Sequence, residues 1–269
     1  MPFDRTRRTL FDQAADDYEA ARPGYPDRLI EQLLERSAIP DDGRILEIGC
    51  GTGQLTVPLA ARGHTITAVE LGVNLARLAG MNLARFPNAA VVCADFEAWQ
   101  ADPATYDLVV SAQAFHWIDP AIGYPKVHAA LRPSGCLALV WNLFPGCDDP
   151  IHRALDEVYR SVAPQLVRDS AGSSLEERVA RTLQEVRSSR LFEEPDIVRI
   201  PWISTYTTAR YLRLLRTHSD HLALDPSTFE RLLAAVSSTI DRFGGTLERP
   251  QVATLLASRP LWRVAANEN

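Results

Sequence analysis

Residues Arg44–Gly53 read R-I-L-E-I-G-C-G-T-G, and the reading of this stretch decides the fold. The apolar run Ile45, Leu46 and Ile48 suits a buried strand, and it carries one carboxylate, Glu47. Glycines then stand at alternate positions, Gly49, Gly51 and Gly53. That spacing suits a tight turn whose backbone must come close to a ligand. The segment 54–62 is expected to continue as a helix. Strand, glycine turn and helix start together form a nucleotide-type site, where free N–H groups and the helix dipole favour a negative group.

The details separate the possible ligands. The dinucleotide fingerprint is G-x-G-x-x-G, which holds a pyrophosphate, whereas here the third glycine arrives one residue early. Glu47 lies two residues before the first glycine. A carboxylate facing the loop repels a pyrophosphate and suits a cationic group. No Gly-Lys-Ser/Thr follows, so the P-loop pattern is absent.

Outward from this stretch, strands alternate with helices. Apolar runs at 45–48, 65–69, 90–94, 108–111 and 137–140 read as strands, with helical stretches at about 54–62, 73–85 and 120–131. This repeat predicts an α/β fold, a Rossmann-like and mostly parallel sheet with helices on both faces. Later strand-like runs at 197–204 and 247–256 would complete seven strands, and the helical stretch after Trp141 reads as a cap insertion. The expected organisation is a helical N-terminal cover (1–40), a binding core (41–141), a cap or lid (142–195) and a C-terminal part completing the sheet (196–269). Two prolines at Pro23 and Pro26 break the N-terminal helices, and Asp27 is the expected N-cap of the next one. The segment 163–177, with a proline, a glycine and several serines, is expected to be mobile.

Acids fall at successive strand ends. Glu70 ends the second strand, 19 residues after Gly51, where a carboxylate can accept hydrogen bonds from both ribose hydroxyls of either NAD or a related nucleoside. A solvent-exposed acid is the plainer alternative. Asp95 ends the third strand, where an Asx turn or a helix N-cap would also explain it.

The E-x-G-x-G-x-G pattern resembles the first motif of class I methyltransferases that use S-adenosylmethionine (SAM). The stretch Y-D-L-V-V-S-A-Q-A-F-H-W, with Asp107, and L-R-P-S-G-C-L-A-L from Leu131 resemble later motifs of that family. F-D-x-A-A-x-x-Y-x-x-A-R-P-G-Y-P (11–26) and Y-L-R-L-L-R-T-H-S (211–219) are similar to methyltransferase type 11 proteins that include the trans-aconitate methyltransferases. The resemblance implies SAM as cofactor, S-adenosylhomocysteine as product, no metal, and a small-molecule acceptor. It implies that Glu47, Gly49, Cys50, Gly51, Gly53 and Gln54 wrap the amino-acid part, and that Glu70 and Leu71 meet the ribose. Asp95 would then meet the adenine amino group with Phe96 on the ring, and Gln113 would open into the cleft. By the same analogy Tyr18 and Arg22 hold the methionine carboxylate.

Methyl transfer from a sulfonium is an in-line displacement, so no protein nucleophile is expected. His116 and Trp117 stand at the mouth of the cleft, where His116 would orient or deprotonate a hydroxyl, amine or thiol. A carboxylate acceptor needs no base and would favour an arginine such as Arg213, Arg216 or Arg168. Trp141, Asn142 and Phe144 follow the fifth strand and are further pocket candidates. Two other readings stay open: an NAD-dependent oxidoreductase on a similar sheet, and a non-catalytic SAM-binding protein.

Composition narrows the class. The chain has 269 residues with a net charge of −6, so a general nucleic-acid surface is not expected. No run approaches the roughly 18 apolar residues of a membrane span, and the first residues lack the apolar core of a signal peptide. Four cysteines at 50, 93, 136 and 147 show no C-x-x-C spacing; free thiols in a reducing cytoplasm are expected, with Cys93 and Cys136 in buried strands and no zinc site. A monomer or homodimer is the expected state.

Overall fold

The apolar runs pair into one seven-stranded sheet, described here from a computed structural model that covers residues 8–167 and 175–262. The strands are β1 (Arg44–Ile48), β2 (Thr65–Glu70), β3 (Ala89–Cys93), β4 (Tyr106–Ala112), β5 (Leu131–Leu143), β6 (Asp196–Thr207) and β7 (Thr246–Ser258). Their order is β3-β2-β1-β4-β5-β7-β6. The pairs β1–β2, β1–β4, β2–β3 and β4–β5 are parallel, and β7 runs antiparallel to both β5 and β6. Strand order reverses between β1 and β4, which opens a crevice at their carboxyl ends.

Side-chain alternation on β1 and β4 separates two apolar layers. Ile45, Leu108 and Val110 join the layer containing α3 (Asp27–Ser37), α4 (Thr56–Ala60) and α5 (Val73–Leu83). Leu46, Ile48 and Val109 face the opposite layer, with α6 (Pro120–Ala130) and α8 (Leu175–Ser189). A third cluster joins α2 (Ala15–Ala21) with α7 (Pro150–Val162), α9 (Thr208–Leu215) and α10 (Pro226–Arg242). A short α1 (Leu10–Gln13) precedes α2. Helices α7 and α8 lie between β5 and β6 in the chain. No helix among the described residues is long and apolar enough to cross a membrane.

Three local expectations are corrected. Pro26, not Asp27, is the N-cap of α3; Asp27 lies in the first turn, where its charge favours the helix dipole. α4 starts only at Thr56, because the turn after Gly49 runs on to Leu55; Pro58 is tolerated there because the first helical N–H groups need no partner within the helix. Cys93 is exposed, since β3 is an edge strand covered only in part, while Cys136 on the inner β5 is buried. Part of the segment expected to be mobile, including Arg168, lies outside the described residues.

Asp107 fastens the base of β4. Its carboxylate is buried, accepts from the Arg44 backbone N–H at 2.8 Å, and meets Arg132 Nη1 through both oxygens at 2.9 and 3.0 Å. Asp107→Ala should lower unfolding stability by about 2 kcal/mol, because a buried N–H and a guanidinium lose their acceptor. Urea denaturation measures this, and a change below about 0.5 kcal/mol would overturn the assignment.

Candidate cofactor and acceptor site

The glycine turn caps the crevice. Gly49, Gly51 and Gly53 have φ of +70°, +59° and +101°, a region that favours glycine. A Cβ on Gly49 would lie 2.3 Å from Ala114 Cβ, so that position admits no side chain. The backbone N–H groups of Gly49 and Cys50 donate to Val69 O, at 2.8 and 3.3 Å. Glu70, at the end of β2, fastens the turn further: Oε2 accepts from Gly51 N at 2.8 Å and Oε1 from Gly72 N at 2.9 Å. Leu71 follows it, partly buried. Gln54 donates to Thr52 Oγ1 at 2.6 Å and lies over Gly51.

Three acids line this side. Glu47 is buried, and its Oε2 meets no hydrogen-bond partner among the described residues. Burial pushes its carboxyl up to about 8; the Thr56 hydroxyl works the other way, and the charge of Glu70 adds to the rise. Burial also raises Glu70, against the pull of its backbone N–H bonds. Asp95 accepts from the Glu97 backbone N–H at 3.0 Å, which is the Asx turn foreseen as its plainer reading. It also pairs with Arg8 Nη2 at 2.6 Å. Phe96 does not stand open in the cleft: it is buried in the second apolar layer, with the Lys126 ammonium 5.4 Å from its ring.

The N-terminal helices lie across the turn. The Tyr18 ring and hydroxyl come within 3.1–3.2 Å of where a Gly51 Cβ would stand. The Arg22 guanidinium lies 5.1 Å from the Tyr18 ring centroid. Phe11 packs edge-on against Trp117 at 5.7 Å. Asp12 Oδ1 accepts from the backbone N–H groups of Asn74 and Leu75, at 2.7 and 3.1 Å, so it caps α5 from outside. Sequence reasoning missed both Asp12 and Arg8, because their partners lie more than 60 residues away.

The other side of the crevice is set by β4, β5 and the cap. Gln113 takes φ +61° as β4 ends, and its Nε2 donates to Asn142 O at 3.0 Å. His116 lies in the following turn with its ring 5.1 Å from Trp117. Burial pulls His116 down to about 3, and the Arg178 and Arg181 guanidiniums of α8 push the same way. Asn142 is a tie rather than a pocket wall: Nδ2 donates to Gly24 O at 3.0 Å and Oδ1 accepts from Trp202 Nε1 at 3.1 Å. Trp141 is buried in the core, and Phe144 is exposed. Arg213 and Arg216 are not brought to the site. They lie on the outer side of α9, paired with Asp17 at 2.8 Å and Glu230 at 3.4 Å. Arg178 and Arg181, three apart on α8, carry the guanidinium charge that bears on His116; no motif marked them in the sequence.

Two groups offer metal-ligating atoms, Cys147–Asp149–His152 and His218–Asp220–His221. Both have structural duties. Asp149 caps α7 through His152 N at 2.8 Å. His221 meets Asp220 through Nδ1 at 2.8 Å and the Tyr159 hydroxyl through Nε2 at 2.8 Å, and the charges of Arg22 and Arg249 bear on His218.

Comparison with known proteins agrees with this geometry. Residues 45–135 match the family described as a methyltransferase domain. An uncharacterized methyltransferase of Mycobacterium tuberculosis is 38% identical over 132 residues, covering 49% of this chain and 51% of that protein. The chain thus spans about half the length of the first curated relatives it matches. A malonyl-[acyl-carrier protein] O-methyltransferase of Geobacter sulfurreducens is 27% identical over 265 residues, covering 94% of this chain and 96% of that one. In fold, the chain superposes on the solved structure of a candidate type II methyltransferase from Anaeromyxobacter dehalogenans with a TM-score of 0.67, at 24% identity, covering 88% and 97% of the two chains. Over residues 45–135 the chain is thus similar to a methyltransferase domain, and it shares the fold of that solved structure.

Glu47 makes stability depend on pH. An unfolded chain titrates a glutamate near about 4.3, so from there up to about 8 the native protein holds a proton that the unfolded chain has lost. Its contribution is therefore complete below the ordinary glutamate range and declines as pH rises through about 8. Thermal melts between about pH 5 and pH 9 should show this decline, flattened in Glu47→Gln. An identical slope in the variant would refute the assignment.

Proposed function

We propose that the protein transfers the methyl group of SAM to a carboxylate oxygen of a small, diffusible acid in the cytoplasm. What supports the acceptor class is the placing of His116, buried in the turn after β4 with its ring 5.1 Å from Trp117, where burial and the charges of Arg178 and Arg181 pull its pKa down to about 3. So weak a base is poorly matched to taking a proton from a hydroxyl, amine or thiol near neutral pH. An acceptor that arrives already ionised needs no base, and a carboxylate meets that condition at pH 7. Guanidiniums beside the imidazole favour such an anion.

The residues on the donor side fit SAM. The orphaned, buried Glu47 Oε2 suits a cationic amino group, and Glu70 and Asp95 offer acceptor oxygens at the ends of the next two strands. The missing side chain of Gly51 lets the Tyr18 ring and hydroxyl close onto the turn. When bound, SAM supplies a methyl carbon that bonds to the carboxylate oxygen as its bond to the sulfonium sulfur breaks, so no proton is transferred. Tyr18 and Arg22 cover the amino-acid end, Gln113 and Asn142 hold the ends of β4 and β5 together, and neutral His116 orients the acceptor. Two relatives are named for acceptors that carry carboxylates, malonyl-[acyl-carrier protein] and, in Variovorax paradoxus, trans-aconitate. The glycine spacing and Glu47 disfavour the oxidoreductase alternative.

The test incubates the protein with labelled SAM and a panel of mono-, di- and tricarboxylic acids. Base-labile methyl esters are expected. At saturating SAM, kcat should stay flat from about pH 6 to pH 9, and His116→Gln should retain kcat within about ten-fold. A rate governed by an ionisation near about 6.5 would overturn the carboxylate reading in favour of a histidine base. SAM binding without transfer to any acceptor would favour a binding protein.

A further inference from the structure

The Arg22 side chain is fixed along one edge only. Its Nε donates to Thr217 Oγ1 at 2.9 Å and its Nη2 to the Thr217 carbonyl at 2.7 Å. These two donors form the side edge of the guanidinium fork, and one residue takes both. The end edge, made of Nη1 and the second Nη2 hydrogen, remains for a bidentate partner. Among the described residues, no carboxylate lies within ion-pair distance of Arg22. A partly buried guanidinium with no counter-ion is costly unless a ligand supplies the charge. Its place over the Tyr18 ring, which itself rests on Gly51, puts this edge beside the glycine turn.

Thr217 is suited to that task in a way few residues are. It is fully buried just beyond α9, and its hydroxyl donates to Leu214 O at 2.7 Å. The hydroxyl proton is thereby committed to the last turn of the helix, and an oxygen lone pair faces Arg22 Nε. Thr217 presents two acceptors, one side-chain and one backbone, at the spacing of a guanidinium side edge.

We propose that Thr217 is a positioning residue that turns Arg22 so its end fork receives the carboxylate of the cofactor's amino-acid part. This rests on the reading of Arg22 as the carboxylate partner of SAM, and the experiment separates the two. It measures the affinities of S-adenosylhomocysteine and of 5′-methylthioadenosine, which lacks the amino-acid carboxylate, for the wild type and for variants. Thr217→Val should weaken S-adenosylhomocysteine about ten-fold and leave 5′-methylthioadenosine unchanged, while Thr217→Ser should match the wild type. Arg22→Ala should lose at least as much, and adding Thr217→Val to it should cost nothing further. If Arg22→Ala leaves the ratio of the two affinities intact, the carboxylate role of Arg22 falls, and the proposal with it. If Arg22→Ala lowers the ratio but Thr217→Val does not, only the positioning role is overturned. Thr217→Ala serves as a second variant. Equal loss of both ligands in both the Val and Ala variants would mark a purely structural residue and overturn the proposal.

Discussion

The site depends on a single buried carboxylate. Glu70 ends β2 and accepts one backbone N–H from the turn after β1 and one from the turn after its own strand. These bonds hold two neighbouring loops at one height above the sheet. The turn is held further by Val69 O, which accepts from Gly49 and Cys50, and by Asn82, which donates to the Thr52 carbonyl at 2.8 Å. Burying a carboxylate is unfavourable, and here two charge-assisted bonds to N–H groups offset it.

Around this anchor the charges are divided. Glu47, Glu70 and Asp95 stand at or near the carboxyl ends of β1, β2 and β3, on one side of the point where strand order reverses. The charges of Arg178 and Arg181, on α8, bear on His116 beyond β4, while Arg22 lies over Tyr18 against the glycine turn. Neutral His116 sits next to the basic group, where a second positive charge would be disfavoured. The N-terminal cover spans the division: Arg8 meets Asp95 on the acidic side, and Arg22 is tied to Thr217 beyond α9.

Much of this was legible along the chain. Four of the five parallel strands are largely buried apolar runs, the edge strand β3 being covered only in part, and alternation with helices leaves few ways to arrange them. The glycine turn was legible because positive φ and close approach restrict the residue type. Glu70 and Asp95 could be placed from the sequence at the ends of β2 and β3, where such sheets open their crevice. Other positions misled. Phe96 follows Asp95 as a stacking residue would, yet the backbone turns its ring into the apolar layer beneath. Arg213 and Arg216 share a helix face, but that face points away from the site toward Asp17 and Glu230. Asn142 falls within β5, which runs on to Leu143, and Gly24 and Trp202 occupy both ends of its amide.

The sequence by itself determined the sheet and the turn, because each follows from local rules of periodicity and conformation within a few residues. Only the tertiary structure decided which side chains meet across long separations. Arg22 finds Thr217 195 residues away, and Arg8 finds Asp95 87 residues away. His116 loses its basicity to burial and to charges on a helix some 60 residues further on. Burial and charge proximity are properties of the packed molecule, and no spacing along the chain encodes them directly.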